Sequence, residues 1–332
     1  METTLKLNLD RRAAALATAL FAGLTLASAS WAQAYPDRTV TLVVGYAAGG
    51  AIDQSARLLG QALSTRWGQT VVIDNRTGAN GTIAAAAVAS AKPDGYTLLV
   101  TATSHTLSKF VVKGLRYDAE KSFAPIALTV DVPNVLVVNA ASPYQNVKQL
   151  VDAMHAKSKN FSYASQGVGG IPHLAGELFK MRTNTEMVHV PYRGANQGMT
   201  DLMAGVVDMS FPSPASIMAG LQSGKLRALA VTSDQRFPAL KDVPTFAEAG
   251  ITGFTIGTWH GVMAPAGTPA AVVDKLNADI NDIVRSAAFK TALEAQGNMA
   301  AAPVTPAQFA AKLSTEMRAF EAVASRVDLT AN

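Results

Sequence analysis

The hydrophobic positions change period in a regular way from residue 39 onward. TVTLVV (39–44) is a continuous apolar run of the length of a buried strand. Apolar residues then recur at helical spacing until Gly68, which ends the segment; they are Ile52, Ala56, Leu59, Leu63 and Trp67. TVVID (70–74) follows as a second strand, so this stretch is predicted to form a strand–helix–strand unit.

The same alternation continues to the end of the chain. An alanine-rich helix stops at Pro93, an apolar strand follows in 94–102, and PNVLVVN (133–139) begins a second series of strands and helices. Three helical segments starting near 270, 289 and 306 resemble the first half in composition. The pattern predicts an α/β fold with two lobes, each a mainly parallel sheet flanked by helices. We expect lobe 1 to comprise 35–135 and 258–332, and lobe 2 to comprise 136–257.

The first 34 residues have the composition of a secretory signal peptide. Arg11 and Arg12 precede an apolar stretch of 13–27, and the triplet Ala32-Gln33-Ala34 has the small-x-small pattern of a cleavage site. We expect cleavage after Ala34 and export to the periplasm, by the general secretory route rather than the twin-arginine route. A membrane anchor is the weaker alternative, because the apolar stretch is shorter than the roughly 20 residues that span a bilayer.

Composition excludes several classes of function. The 332 residues are 49% hydrophobic and 16% charged, as in a globular protein. The net charge of +4 comes from scattered Lys and Arg, which argues against a nucleic-acid surface. There are no cysteines, so disulfides and thiolate chemistry are excluded. The five histidines lack metal-binding spacing, and we expect neither a metal nor a cofactor.

One local pattern occurs twice, about 120 residues apart. In VVGYAAGGAID (43–53) and YASQGVGGIPH (163–173), a strand leads through small residues and Gly-Gly into a helix. A helix N-terminus carries unpaired N–H groups and a partial positive charge, and glycines let an anion approach them closely. The alternative is that each Gly-Gly only makes a tight turn. Two such turns, one per lobe, predict an anion site in a cleft between the lobes.

Longer stretches resemble the periplasmic receptors of tripartite tricarboxylate transporters, also called Bug-type receptors. The resemblance covers nearly all of the mature chain and is carried by YPDRTVTLVVGYAAGGAIDQSAR, GQTVVIDNRTGANGTIAAAAVA, PDGYTLL, VPYRGANQGMTDLMAGVVDMSF, GKLRALAVTSDQRFPALKDVPTFAEAGITGF and APAGTPAAVVDKLN. The chain departs from the family pattern at Gly45-Tyr46, where Pro-Phe is usual.

This resemblance implies a type II-like periplasmic binding protein with a two-strand hinge and Venus-flytrap closure. Ligand would lie between 46–53 and 165–173, held mainly by backbone N–H groups and bridging waters. The candidate ligand-binding residues are Tyr46, Ala47, Ala48, Gly49, Gly50, Asp53, Thr101, Thr103, Ser104, Ser165, Gly167, Gly169, Gly170, His173, Asp208 and Ser213.

Several of these candidates have structural alternatives. Asp53 either accepts a hydrogen bond at the pocket edge or pairs with Arg57 one turn on. The hydroxyls of 101–104, as well as Asp208 and Ser213, either contact ligand or cap turns.

The predicted function is an exported receptor that binds a small organic carboxylate and delivers it to the membrane subunits of a tripartite tricarboxylate-type secondary transporter. We expect a monomer without catalytic residues, because no G-x-S-x-G, S-x-x-K or paired-carboxylate pattern is present. A secreted α/β hydrolase or transferase, or a ligand-sensing module, are the alternatives.

Overall fold

The computed structural model describes residues 35–192, 195–296, 298–327 and 329. The expected signal peptide and its cleavage site lie outside the described residues. No helix within the described part of the chain is both long and apolar enough to cross a membrane.

Strands and helices alternate as the sequence predicts. The strands are β1 Val40–Val44, β2 Val71–Asn75, β3 Thr97–Ala102, β4 Phe123–Pro133, β5 Val135–Asn139, β6 Ser162–Ser165, β7 Val188–Pro191, β8 Met209–Ser210, β9 Leu226–Val231 and β10 Gly257–Pro265. The helices are α1 Ala51–Trp67, α2 Thr82–Ala89, α3 Ser104–Val111, α4 Val147–His155, α5 Ile171–Thr183, α6 Ala195–Ala204, α7 Met218–Gln222, α8 Ala270–Arg285, α9 Ala287–Ala295 and α10 Pro306–Ala324.

The strands form two sheets of five, which confirms the predicted two-lobed α/β fold. The order in sheet 1 is β2-β1-β3-β10-β4, and the order in sheet 2 is β7-β6-β8-β5-β9. In each sheet three neighbouring strands pair parallel, namely β1 to β3 and β6 to β8. The other strands pair antiparallel, β10 with β3 and β4, and β5 with β8 and β9. Each sheet is mixed because one strand runs opposite to the other four, namely β10 in sheet 1 and β5 in sheet 2. Each of these two strands enters its lobe directly from the other lobe.

Strand directions place the carboxyl edges of the two sheets opposite each other. β4 runs in the direction of β1 to β3, because both β4 and β3 are antiparallel to β10. Its end, Pro133, therefore lies at the edge where β1 to β3 end, and a single residue, Asn134, leads into β5. β5 begins at the edge where β6 to β8 end, because it runs antiparallel to β8. The loops that follow the parallel strands of both lobes thus face each other across this crossover.

The two crossover connections are hydrogen-bonded to each other. The Asn134 N–H donates to Thr232 Oγ1 at 2.8 Å, and the Thr232 N–H donates to the Asn134 carbonyl at 2.9 Å. The Ile256 N–H donates to the Thr232 carbonyl at 3.1 Å. Buried backbone groups need such partners, so these bonds keep the two connections side by side as a double hinge.

Apolar residues alternate between the faces of sheet 1. Leu42 and Val44 pack with α1, α8 and α9, whereas Val43 and Leu99 pack with α2 and α10. Sheet 2 is covered on one side by α4 and α5 and on the other by α6. Each lobe is therefore a three-layer unit with helices on both faces of the sheet.

The C-terminal helix α10 packs into both cores. Phe309 and Leu313 belong to the core of lobe 1, whereas Phe320 and Val323 lie in the core of lobe 2. Leu329, beyond the helix, also packs in the lobe 2 core. The sequence assigns 258–332 to lobe 1, but the end of this segment also contacts lobe 2. The apolar face of α10 is long enough to reach both lobes.

Glu316 occupies the middle of α10, between those two groups of contacts. Its carboxyl group accepts hydrogen bonds from Thr106 Oγ1 at 2.6 Å and from Trp259 Nε1 at 3.0 Å, and the residue is buried. Burial raises the pKa of Glu316 to about 7, although both hydrogen bonds and Lys312 act in the opposite direction. The group is therefore half protonated near neutral pH.

We expect Glu316→Gln to remove a pH dependence of stability. The folded-state pKa lies above the ordinary value of 4.5. The free energy of unfolding that comes from protonated Glu316 is therefore fully present below about pH 4.5 and is lost as the pH rises through about 7. Relative to the variant, the wild type should lose on the order of 3 kcal/mol between about pH 4 and pH 8. Urea unfolding of both proteins across this pH range measures the difference in their free energies of unfolding.

The matched control is Glu321→Gln, at an exposed position of the same helix. It should follow the wild-type pH dependence. Parallel stability curves for the wild type and Glu316→Gln would contradict the assigned pKa shift.

Candidate functional site

The loop after β1, residues 46–53, enters α1 through two glycines of different conformation. Gly49 is left-handed with φ 82°, and Gly50 is the N-cap with φ −73° and ψ 164°. The Gly49 N–H donates to Asp53 Oδ2 at 2.7 Å, across four residues. Residues 47–50 are exposed at the carboxyl edge of sheet 1.

The loop after β6, residues 165–173, repeats this geometry in lobe 2. Gly169 has φ 76°, and the N-cap Gly170 has φ −74° and ψ 158°. The Gly169 N–H donates to His173 Nδ1 at 3.1 Å, again across four residues. The two Gly-Gly turns are thus conformationally equivalent, with a carboxylate as acceptor in lobe 1 and an imidazole in lobe 2.

Asp53 holds the first loop in place. Besides Gly49, its oxygens accept from Arg57 Nε at 2.8 Å and from Asn75 Nδ2 at 2.8 Å. Burial disfavours the carboxylate, but the bonds from Arg57, Gly49 and Asn75 outweigh it and lower the pKa of Asp53 below its ordinary value. Because both oxygens already accept hydrogen bonds from the protein, the pairing with Arg57 is the arrangement present, and Asp53 positions the loop.

His173 does the same for the second loop. Its ring stacks on His189 with centroids 4.1 Å apart, and burial lowers the pKa of both, that of His189 to about 4 with a further contribution from His173. Both rings are therefore neutral near pH 7, and the bond from Gly169 requires the tautomer of His173 that carries its proton on Nε2, so that Nδ1 accepts. Ser165 Oγ lies 2.6 Å from His189 Nε2 and accepts from the Gly167 N–H at 3.1 Å.

The hydroxyl candidates after β3 also contact protein groups. Thr103 Oγ1 donates to the Gly257 carbonyl at 3.1 Å and accepts from the Trp259 N–H at 3.0 Å. Ser104 Oγ is hydrogen-bonded to the Tyr46 hydroxyl. Thr101 is buried. These side chains connect the first loop and α3 to the hinge strand β10.

A third glycine-rich turn, residues 78–81, was missed in the sequence analysis as part of the site. Four consecutive residues have positive φ: Gly78 at 126°, Ala79 at 43°, Asn80 at 54° and Gly81 at 87°. A Cβ on Gly81 would lie 3.2 Å from the Tyr46 hydroxyl, so this turn packs against the first loop. The signal was present, since GANG follows a predicted strand.

Asp208 lies apart from the other candidate residues of lobe 2. Its carboxylate accepts from the Ser162 N–H at 2.8 Å and pairs with Lys159, so it lies where β6 and β8 begin. In parallel strands that edge is opposite to the one bearing the 165–173 loop. Ser213, by contrast, follows the end of β8 and lies on the facing edge.

The arrangement exposes main-chain donors rather than charged side chains. Neither α1 nor α5 has a side chain that caps its N-terminal N–H groups. Both helices begin on the facing edges of the sheets, where their dipoles favour an anion. Within residues 35–192, 195–296 and 298–327, no group of three or more His, Asp or Glu is arranged to hold a metal ion.

Comparison with known sequences shows a consistent set of relatives. A family model described as "Tripartite tricarboxylate transporter family receptor" matches residues 55–322. The chain is 40% identical over 291 residues to the UPF0065 protein in the tcbD-tcbE intergenic region of a Pseudomonas sp., covering 87% of both chains. It is 34% identical over 296 residues to Protein BugT of Bordetella pertussis, covering 88% of this chain and 90% of the relative.

Solved structures agree with this assignment. A TctC solute binding protein from Polaromonas without ligand has a TM-score of 0.83 at 30% identity, covering 88% of this chain and 100% of that chain. An R. palustris protein with adipate has a TM-score of 0.62 at 34% identity, covering 88% and 97%. MatC from Rhodopseudomonas palustris with bound malate has a TM-score of 0.60 at 32% identity, covering 87% and 100%.

The glycines of the two loops should differ in their tolerance of alanine. Gly49→Ala meets open space and should cost about 1 kcal/mol for its left-handed φ. Gly169→Ala should cost about 2 kcal/mol, because its Cβ would also lie 3.2 Å from the Leu329 carbonyl. Gly170→Ala, with an ordinary φ, is the control and should change stability by less than about 0.5 kcal/mol. Urea unfolding measures all three, and equal costs at Gly169 and Gly170 would contradict the assigned conformations.

Proposed function

The chain belongs to the tripartite tricarboxylate transporter receptor family, and from this premise we propose that it binds a small organic carboxylate between its lobes and delivers it to the membrane subunits of such a transporter. Members of the family are periplasmic solute-binding receptors and not enzymes. The proposal includes export with cleavage after Ala34, a monomeric receptor, and lobes comprising 35–135 with 258–332, and 136–257.

The single observation that carries the proposal is the pair of equivalent Gly-Gly turns on facing edges. Each one starts a helix whose N-terminal N–H groups have no side-chain cap. The amides of Gly49, Gly50, Gly167 and Gly169 already donate to groups within their own loops. The donors offered to a ligand are therefore the other amides of each loop and of the first helical turn. A carboxylate would accept from both lobes at once and hold them together.

Magnitudes support a main-chain site without an arginine clamp. A charge-assisted hydrogen bond contributes on the order of 1.5 to 3 kcal/mol, and micromolar binding needs about 8 kcal/mol. Three or four amide contacts therefore suffice. Lobe closure adds to this by excluding water, which strengthens each electrostatic contact.

Two of the solved relatives support the proposed class of ligand. The R. palustris protein of 34% identity was solved with adipate, and MatC, of 32% identity, was solved with malate. Both of these ligands are small organic dicarboxylates.

The roles of the candidate residues divide into two groups. We assign ligand contact to the exposed backbone of 46–50 and 167–170. We assign positioning to the side chains that hold those loops, which are Asp53, Thr103, Ser104, Ser165 and His173.

A carboxylate panel tests the proposed function. We expect at least one of malate, succinate, adipate, citrate, aspartate or benzoate to raise the melting temperature of the mature protein, because ligand that binds only the folded state stabilises it by RT ln(1 + [L]/Kd). Gly50→Val and Gly170→Val should weaken that binding by more than about tenfold, measured by calorimetry, because the added bulk blocks access to the helix N-termini.

Both glycines have φ values near −74°, which a side chain tolerates, although a Cβ on Gly50 would lie 3.2 Å from the Ala47 carbonyl. The melting temperatures of the two variants without ligand are therefore the control for folding. Recovery of the bound carboxylate unchanged distinguishes a receptor from the enzyme alternative. Unaltered affinity in both variants would exclude the two turns as the binding site.

A further inference from the structure

Exposed large apolar side chains are few in the described part of the chain. Those with more than 40% exposure are Val72, Ile83, Val168, Val188 and Val206. Val168 lies on the facing edge of lobe 2, and Ile83 lies on the facing edge of lobe 1. Single exposed apolar residues are ordinary on protein surfaces, so the placement of these two is the informative point.

Ile83 is attached to the first loop through the third glycine-rich turn. It is the second residue of α2, directly after residues 78–81, and 53% of it is exposed. Its side chain lies over Gly78, where a Cβ would be 2.6 Å from Ile83 Cδ1. Because Gly81 packs against the Tyr46 side chain, the start of α2, which bears Ile83, is joined to the first loop.

Val168 is part of the second loop itself. It stands between Gly167 and Gly169, whose backbone is held by Ser165 and His173, and it is 43% exposed. The second loop therefore carries an exposed branched aliphatic side chain just before the uncapped start of α5, and lobe 1 carries one at the start of α2, on the facing edge.

The charged groups described near these loops are already paired. Arg57 pairs with Asp53 at 2.8 Å, and Arg76 pairs with Asp74 at 2.9 Å. Apart from main-chain donors and the exposed amide side chains of Asn80 and Gln166, the described loops therefore offer the two aliphatic side chains rather than unpaired charge to the remainder of a ligand. A hydroxyl placed against Ile83 or Val168 would lose its water partners without gaining a partner from either side chain.

We propose that Ile83 and Val168 form an apolar clamp on the hydrocarbon part of the ligand, so that the receptor selects carboxylates with an unsubstituted hydrocarbon body over polyhydroxylated carboxylates of the same length. This inference rests on the proposed function, because the clamp is useful only if a carboxylate is held at the adjacent amides. Lobe closure buries both side chains against the ligand, and the apolar area removed from water supplies the preference.

Two pairs of probes with identical carbon skeletons test this selectivity. Hexanoate is compared with gluconate, and adipate with galactarate, by calorimetry on the mature protein. In at least one pair, the wild type should bind the aliphatic member about tenfold or more tightly than the hydroxylated one.

Threonine variants assign that preference to the two side chains. Val168→Thr and Ile83→Thr should each reduce the aliphatic-to-hydroxylated affinity ratio by about threefold to fivefold, because each exchanges apolar contact for a hydroxyl. The matched control is Val206→Thr. Val206 is 67% exposed in lobe 2 and lies shortly before β8, at the edge remote from the second loop. Its variant should keep the wild-type ratio.

The outcomes separate the clamp from the proposed function. If a carboxylate binds but the hydroxylated members bind equally well or better, the clamp is overturned while the receptor function stands. The clamp is likewise overturned if malate or citrate binds and none of the four probes does, or if the Val168 and Ile83 variants keep the same ratio as Val206→Thr. If no carboxylate binds at all, the proposed function fails and the clamp fails with it.

Discussion

Each half of the site depends on one hydrogen bond, from the N–H of a left-handed glycine to a side chain four residues further on. In lobe 1 the bond joins Gly49 to Asp53, and in lobe 2 it joins Gly169 to His173. It folds the loop back onto the first turn of its helix and leaves the helix N-terminus without a side-chain cap. A preorganised donor set needs little ordering on binding, which is the reason that the proposed site can use main-chain groups in place of charged side chains.

The hinge gives these loops their common direction. Because Asn134 alone separates β4 from β5, the two sheets cannot meet except with their carboxyl edges facing each other. The helix α10 adds a second link, with Phe309 in one core and Phe320 in the other. Closure therefore involves the packing of a helix that belongs to both lobes, and the buried Glu316 lies at the centre of that contact.

Much of the fold was predictable from local pattern, and part of the site was not. The helix expected between Ile52 and Trp67 is observed as Ala51–Trp67, because its apolar period and its terminal glycine act within a few residues. The sequence could not place Asp208 at the edge remote from the second loop, because an Asp at a turn looks the same at either end of a strand. The turn at 78–81 was missed because its contact with Tyr46 joins segments that are 35 residues apart.

The sequence by itself determined the alternation of strands and helices, the two Gly-Gly helix starts and the family, since each is written in short-range periodicity or in contiguous motifs. Only the tertiary structure decided that both turns lie on facing edges, that Asp53 and His173 are occupied by glycine amides, and that α10 enters both cores. Those features depend on strand direction and on contacts between distant segments. No local pattern of hydrophobic and polar residues encodes either of them.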